Sequence, residues 1–388
     1  MQVKRRYTHC SFIARSLKRR ETIKPKKYSN NNKQPQIFTM SENAITSSTT
    51  TLGPLSGALG AHVLPSSAAT ATNSTSRYYD MNIRINEDLT ASASETGQLK
   101  HVINEKIKNK EFFYGLEIMA RTYEPNVVLD YKSLGPLMPL FTSIVWLGMD
   151  YWQVENLADI GAINLARQIK PHMMVLPHFS CYRLTEDRLR KFLDLNFPNV
   201  LSVRGDYYDT QQAYKYSSEL VTAIRSIRGD TITIGVAGYP EGHPECKSVE
   251  EDMDNLVRKV SAGADFIITQ ICFSSRAIID FIRRCRAKDI KIPILVGIFV
   301  PDNFRMLEAM LRITQIRMPA VELEEYRQHS ILGRAQFTEF AIKRAAEMID
   351  AILHSNEVEV YGLQFFSMNK FENIPKVLEK IMQNKNNI

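Results

Sequence analysis

Eight short runs of apolar and β-branched residues recur between Phe112 and Phe366, and their spacing constrains the fold more than any other feature. They are Phe112–Met119, Thr142–Leu147, Met173–Phe179, Val200–Val203, Thr231–Ala237, Asp265–Phe273, Pro293–Val300 and Val358–Phe366. The first seven start 27–34 residues apart, which leaves room in each interval for a turn and a helix. The runs are continuously apolar rather than alternating. Strands of that kind are buried on both faces, as in parallel sheets with crossover helices. One interval shows its helix clearly: over Ser248–Ala262, Ser248 is an N-cap, Glu251 follows three residues on, and Val249, Met253, Leu256, Val257 and Val260 keep helical spacing up to Gly263. Eight such units over roughly 260 residues predict an α/β fold, a (β/α)8 TIM barrel. A doubly wound open sheet is the competing arrangement. The last interval is longer, about 57 residues, and holds two or three helices within Asn303–His354. A further helix is expected over Thr96–Glu111, with Leu99, Val102, Ile103 and Ile107 on one side.

The chain ahead of these runs differs in composition. Residues 1–39 hold eleven Lys or Arg and one acid, Glu21, for a net charge of +10. The whole chain carries +7, so the other 349 residues carry −3. A basic balance suggests nucleic acid or an anionic membrane as partner. The partition confines that suggestion to the tail, and neither partner is expected for the body. Residues 1–39 read either as an organelle transit segment, implying a mitochondrial protein, or as a basic extension of a cytoplasmic one that a start at Met40 would omit. Residues 41–76 are rich in Ser, Thr, Ala and Gly. They cannot bury enough apolar surface to offset ordering entropy, so disorder is expected there. The expected organisation is a basic tail over 1–39, a low-complexity, mostly disordered stretch over 40–95, and one folded domain over 96–388.

Composition removes several other classes. At 44% hydrophobic and 23% charged, the chain is globular over most of its length. Its most apolar stretch, Leu134–Met149, is interrupted by Pro136, Pro139, Thr142 and Ser143, and is no membrane span. Five cysteines without a C-x-x-C pair argue against a disulfide framework and a structural zinc site, and fit a reducing compartment.

In a barrel of this kind, chemistry sits at the C-terminal ends of the strands. The polar residues there are Glu117 in the first run, His178 in the third, Arg204-Gly205-Asp206 after the fourth, and Tyr239 with His243 after the fifth. Gln270 ends the sixth, and Ser367, Asn369 and Lys370 follow the eighth. An unpaired buried polar group costs roughly 1–3 kcal/mol, so several converging on one mouth are better explained by a site than by separate accidents. No G-x-G-x-x-G, Walker lysine loop or H-E-x-x-H is present. No metal site is expected, because neither His178 nor His243 has an acid or thiol at convincing ligand spacing.

Three segments carry a resemblance: Val236–Glu245 (VAGYPEGHPE), Lys259–Gln270 (KVSAGADFIITQ) and Val203–Asp206 (VRGD). Together, in their chain order and spacing, they resemble the methylenetetrahydrofolate reductase family, and the likeness runs from about Phe112 to Ile381. The resemblance implies a (β/α)8 catalytic barrel that binds FAD noncovalently. It implies reduction of 5,10-methylenetetrahydrofolate to 5-methyltetrahydrofolate, with NADPH or NADH as electron donor. A homo-oligomer is compatible with it.

By the same resemblance, Glu117 matches the catalytic acid that protonates the folate N10 during ring opening, a task that needs a raised pKa. Asp206 matches an aspartate near both flavin and folate, where a carboxylate tunes cofactor electronics; it reads equally as a helix N-cap. His178, Arg204, Gly205, Tyr216, Ser217, Tyr239 and His243 match cofactor contacts. Asp252 and Lys259 lie seven apart on one helix face; the family places both on the FAD, and the plain alternative is a solvated ion pair. Gln270, whose amide offers donor and acceptor together, matches a pterin contact. Phe304 corresponds to an aromatic stacking on the folate. Phe366 and Lys370 stand where the family has Tyr and Arg in the substrate pocket. For these aromatic and amide positions ordinary packing is the alternative.

Departures accompany the matches. The segment after the glutamate reads Glu117-Ile-Met-Ala-Arg121, one residue shorter than usual, and Val145 replaces a threonine beside the flavin. Lys370 keeps the charge of an arginine without its bidentate fork. The resemblance covers the catalytic barrel alone, whereas animal members usually carry a further C-terminal domain that senses S-adenosylmethionine. A second reading of the sequence is a non-catalytic barrel that retains the fold, and FAD with it, as a binding or regulatory subunit.

Overall fold

The computed structural model describes residues 82–85, 97–120, 127–146, 156–157, 160–205 and 209–385. The basic tail over 1–39 lies outside the described residues, as do Asp206 and all of 40–95 except 82–85. In chain order the elements are β1 (Asn82–Arg84), α1 (Leu99–Lys108), β2 (Phe113–Met119), β3 (Val128–Asp130), β4 (Phe141–Val145), α2 (Gly161–Ile169), β5 (Met174–Ser180), α3 (Glu186–Asp194), β6 (Asn199–Val203) and α4 (Ser217–Arg228). They continue as β7 (Thr233–Gly238), α5 (Val249–Ser261), β8 (Phe266–Thr269), α6 (Ser275–Ala287), β9 (Ile294–Ile298), α7 (Phe304–Thr314), α8 (Ala320–Leu332), α9 (Arg334–Leu353), β10 (Gly362–Phe366) and α10 (Ile374–Lys385).

Eight parallel strands close a barrel in the order β10-β2-β4-β5-β6-β7-β8-β9. Closure rules out the open sheet, because β10 pairs with both β9 and β2. Each of the eight apolar runs overlaps one barrel strand, and four of the strands extend one residue beyond their run. The sixth is shorter than its run: β8 stops at Thr269 rather than Phe273. There the Gln270 N–H bonds to Gly238 O at 2.7 Å, and the Gln270 Oε1 accepts the next N–H, of Ile271, at 2.9 Å. A local side-chain bond thus replaces the ladder. The long last interval holds α7, α8 and α9, which share a small core of Leu307, Tyr326, Phe337 and Ala341.

Outward-facing strand residues pack on the helices in one large apolar cluster. Inward-facing ones, including Phe113, Phe141, Leu176, Leu201 and Phe266, form a second cluster with Leu99 and Ile103 of α1. Helix α1 therefore stoppers the barrel. Its first free N–H groups are satisfied from the strands: Leu99 N donates to Asn199 Oδ1 at 2.6 Å, and Lys100 N to Thr233 Oγ1 at 3.3 Å. Asn199 and Thr233 are the first residues of β6 and β7. The plug thus closes the N-terminal end and leaves the C-terminal end as the mouth. Helix α5 begins as its caps predict, with the Ser248 hydroxyl accepting from Glu251 N at 3.1 Å. No helix among the described residues is long and apolar enough to cross a membrane.

Candidate active site at the mouth of the barrel

Glu117 sits near the C-terminal end of β2 and points inward, two residues above Gly115 on the same face. Its Oε2 lies 3.7 Å from His178 Nε2 of β5, with both side chains mostly covered. That His178 nitrogen is buried and has no hydrogen-bond partner. Burial pushes the Glu117 carboxyl up to about 8 and the His178 imidazole down to about 3. An ion pair at this separation gains about 4 kcal/mol at an effective dielectric of 20, or roughly three pH units. The gap between about 3 and about 8 is wider. The pair is therefore neutral at pH 7, with the proton on Glu117.

A buried polar layer underlies this pair. Gln364 of β10 reaches across Gly115 and donates to Ser143 Oγ of β4 at 2.8 Å, while its Oε1 has no partner. Gly115 makes this crossing possible, since a Cβ there would overlap both the Gln364 amide and the Phe141 ring. The register sets Glu117 directly beside Ser143 on one side and Phe366 on the other. The turn after β10 then clamps the acid's strand. Ser367 Oγ donates to Glu117 O at 2.5 Å, and Asn369 takes Met119 N at 2.8 Å and gives to Met119 O at 3.2 Å. Met368 and Asn369 hold left-handed backbone (φ 50° and 63°) to do so, strain that is usual around functional turns.

Further along the rim, the loops after β6 and β7 assemble a cationic group. Arg204 Nη1 pairs with Glu245 Oε2 at 2.6 Å, joining the two loops. Gly205 has φ 83°, and a Cβ there would overlap the Ser180 hydroxyl. Tyr239 meets the His243 ring edge-on at 4.7 Å, and the Lys259 ammonium lies 5.7 Å from the Tyr239 ring centre. Lys259 donates to Ala237 O at 2.5 Å. Burial lowers its pKa to about 8 despite the opposing Asp252 carboxylate. Burial likewise raises Asp252, and Lys259 offsets part of that rise. Asp252 also accepts a long contact from the Cys246 thiol at 3.7 Å.

The other expected residues sit as follows. Gln270 lies at the end of β8, with its carbonyl engaged by Ile271 N. Ser217 is buried, and its hydroxyl donates to Ser202 O at 3.0 Å, fastening α4 to β6. Tyr216, just before α4, is 46% exposed beside Lys215. Phe304 opens α7 and packs edge-on against Phe337, with Arg327 over its ring. Val145 ends β4. Phe366 borders Glu117, and Lys370 pairs with Asp302 at 3.3 Å. Asp206 lies outside the described residues. Sequence reasoning missed Ser143 and Gln364, although a lone Gln in Gly-Leu-Gln-Phe-Phe was a visible signal. It also missed Glu245 as the partner of Arg204, although Glu245 closes the VAGYPEGHPE segment.

Comparison with known proteins agrees with this geometry. Residues 102–382 match the family described as methylenetetrahydrofolate reductase. A Caenorhabditis elegans protein named probable methylenetetrahydrofolate reductase (NADPH) is 23% identical over 320 residues, 78% of this chain and 48% of its own length. Methylenetetrahydrofolate reductase 2 of Schizosaccharomyces pombe is 27% identical over 311 residues, 71% of this chain and 46% of its own. The 5,10-methylenetetrahydrofolate reductase of Buchnera aphidicola is 29% identical over 279 residues, covering 70% of this chain and 92% of that protein. The chain thus spans about half the length of the two eukaryotic relatives and nearly all of the bacterial one. With the closed barrel, the mouth acid and a match over most of the folded region, the chain belongs to the methylenetetrahydrofolate reductase family.

Proposed function

We propose that this chain reduces 5,10-methylenetetrahydrofolate to 5-methyltetrahydrofolate, using FAD and a nicotinamide nucleotide. The observation that carries the reading is Glu117, a carboxylic acid kept protonated by burial at the barrel mouth. Opening the imidazolidine ring of the folate breaks the bond between the one-carbon unit and N10. The bonding pair stays on N10, which takes the Glu117 proton, and the carbon is left as an iminium on N5. Adding a hydride to that carbon gives the N5-methyl group, so one proton and one hydride complete the balance. A carboxyl of ordinary pKa would be ionised at pH 7 and could not serve as this acid. Burial makes His178 too weak a base to take the Glu117 proton. The Gln364–Ser143 layer and the Ser367–Asn369 clamp fix the strand that carries it.

The residues present fit a flavin nucleotide. His178 offers an unpartnered buried nitrogen to the ring system. Arg204 and Lys259 supply cations for the diphosphate, while Tyr239 and His243 form a wall beside them. FAD, when bound, supplies the hydride that it takes from the nicotinamide. We favour NADPH as donor, following the name of the nematode relative. Incubation of the purified protein with FAD, NADPH or NADH and 5,10-methylenetetrahydrofolate is expected to yield 5-methyltetrahydrofolate, measured by chromatography. Tight FAD binding without product would instead support the non-catalytic subunit.

A further inference from the structure

The interior of such a barrel is stacked in layers, each filled by side chains from alternate strands. The strand registers set Gln364 of β10, Ser143 of β4, Leu201 of β6 and Ile268 of β8 in one layer. The layer above it is the floor of the mouth, with Glu117 of β2, His178 of β5, Ala237 of β7 and Gly297 of β9. Two contacts agree with this stacking: Gln364 meets Ser143 at 2.8 Å in the lower layer, and Glu117 meets His178 at 3.7 Å in the upper one. Half of the lower layer is thus polar, and both polar members, Gln364 and Ser143, are wholly covered.

Gln364 uses only half of its amide. Its Nε2 donates to Ser143 Oγ, and its Oε1 is buried with no partner. That oxygen occupies the place where a side chain at Gly115 would begin. It therefore lies on the inner face of β2, two residues below Glu117. A buried carbonyl oxygen of this kind calls for a donor. The Glu117 carboxyl, kept protonated by burial, stands next above it. The Glu117 Oε2 is 3.7 Å from His178 Nε2, beyond hydrogen-bond reach. Among the described residues, His178 is the titratable group that faces Glu117 from a neighbouring strand; Ser143 and Phe366 flank it in register. Lys259 approaches the same layer from α5 but is held by the Ala237 carbonyl, and Lys370 at the rim pairs with Asp302.

We propose that Gln364 is a positioning residue whose amide oxygen accepts the Glu117 O–H and holds the acid's proton at the floor of the mouth until a substrate nitrogen takes it. This rests on the reading of Glu117 as the acid of folate reduction. Ser143 fixes the amide so that its oxygen, not its nitrogen, meets the acid. A hydrogen bond to the neutral carboxyl favours the protonated form, and an acceptor oxygen beside a carboxylate disfavours the charged one. Gln364 therefore acts in the same direction as burial. When the proton passes to N10, the Glu117 O–H bond breaks, the N–H bond forms, and the hydrogen bond to Gln364 is lost with the proton.

The test is an infrared titration of the full chain between pH 5 and pH 10. A protonated carboxyl shows a C=O band that a carboxylate lacks, and the Glu117 band is the one missing from Glu117→Gln. Wild type is expected to lose it with a midpoint near 8. Gln364→Met keeps the size and removes the acceptor. It should lower the midpoint by about one pH unit, the scale of one hydrogen bond, and move the band to higher frequency. Gln364→Glu sets a second carboxyl beside the first, so the pair holds its last proton to higher pH and the midpoint should rise. With FAD loaded, Gln364→Met should slow the folate half-reaction about fivefold more at pH 8 than at pH 6, because less of the acid stays protonated. Opposite shifts in the two variants are the signature of the contact. A midpoint that stays put, or that moves the same way in both variants, would show a merely structural role and overturn the assignment. If Gln364→Met does not fold, Gln364→Glu decides alone: an unraised midpoint places residue 364 away from the acid. If the band shifts as expected and wild type reduces no folate, the contact stands and the folate reading falls.

Discussion

Burial acts on Glu117 and His178 in opposite senses, and both senses are measurable. In the unfolded chain Glu117 titrates near 4.5; in the fold it titrates near 8. Between those values the folded protein keeps a proton that the unfolded chain has released. The group's contribution is therefore fully present below 4.5 and is lost as pH rises to about 8, a change of a few kcal/mol at about 1.4 kcal/mol per pH unit. His178 runs the other way. Its value falls from 6.5 to about 3, so stability from this group is present above 6.5 and is lost as pH falls toward 3. Glu117→Gln removes the first dependence. Urea unfolding at pH 5 and pH 8 should show the variant gaining on wild type by a few kcal/mol across that interval; parallel curves would mean that Glu117 is ionised in the fold. The same variant should lose at least 100-fold in folate reduction, as loss of a general acid does, while oxidising NADPH at the normal rate with FAD. Full folate turnover by Glu117→Gln would show that the acid lies elsewhere.

Among the elements, α1 and the turn after β10 decide where the mouth is and how firmly it is held. The plug hangs on Asn199, whose side chain accepts from Leu99 N and donates to Val175 O at 3.2 Å. Asn199→Ala strands a buried N–H and a buried carbonyl, and is expected to cost about 1–3 kcal/mol, read as a lower urea midpoint. An unchanged midpoint would show that the plug contributes nothing. The barrel strands were legible in the sequence because a parallel strand covered on both faces must be apolar throughout. Helix α5 was legible because Ser248, Glu251 and Gly263 mark its ends. The plug was not: the Thr96–Glu111 pattern announces an amphipathic helix but says nothing of what its apolar side covers. The partners of Leu99 and Lys100 lie 100 and 133 residues away, and only closure of the barrel brings them near.

For the whole molecule, charge is local rather than global. The +10 of residues 1–39 leaves −3 for the rest, yet the proposed ligands are anions. The cations proposed to meet them, Arg204 and Lys259, stand one at a time beside an acid, Glu245 and Asp252. Glu117 and His178 could be picked out from strand-end position alone. The mouth is proposed to pass a hydride from nucleotide to folate through a flavin. An anaerobic spectral titration of the FAD-reconstituted protein tests it directly. NADPH should bleach the visible flavin band, as expected of flavin reduction, and 5,10-methylenetetrahydrofolate should then restore it with formation of 5-methyltetrahydrofolate. A protein that takes up no FAD, or a reduced flavin that the folate leaves bleached, would contradict the account.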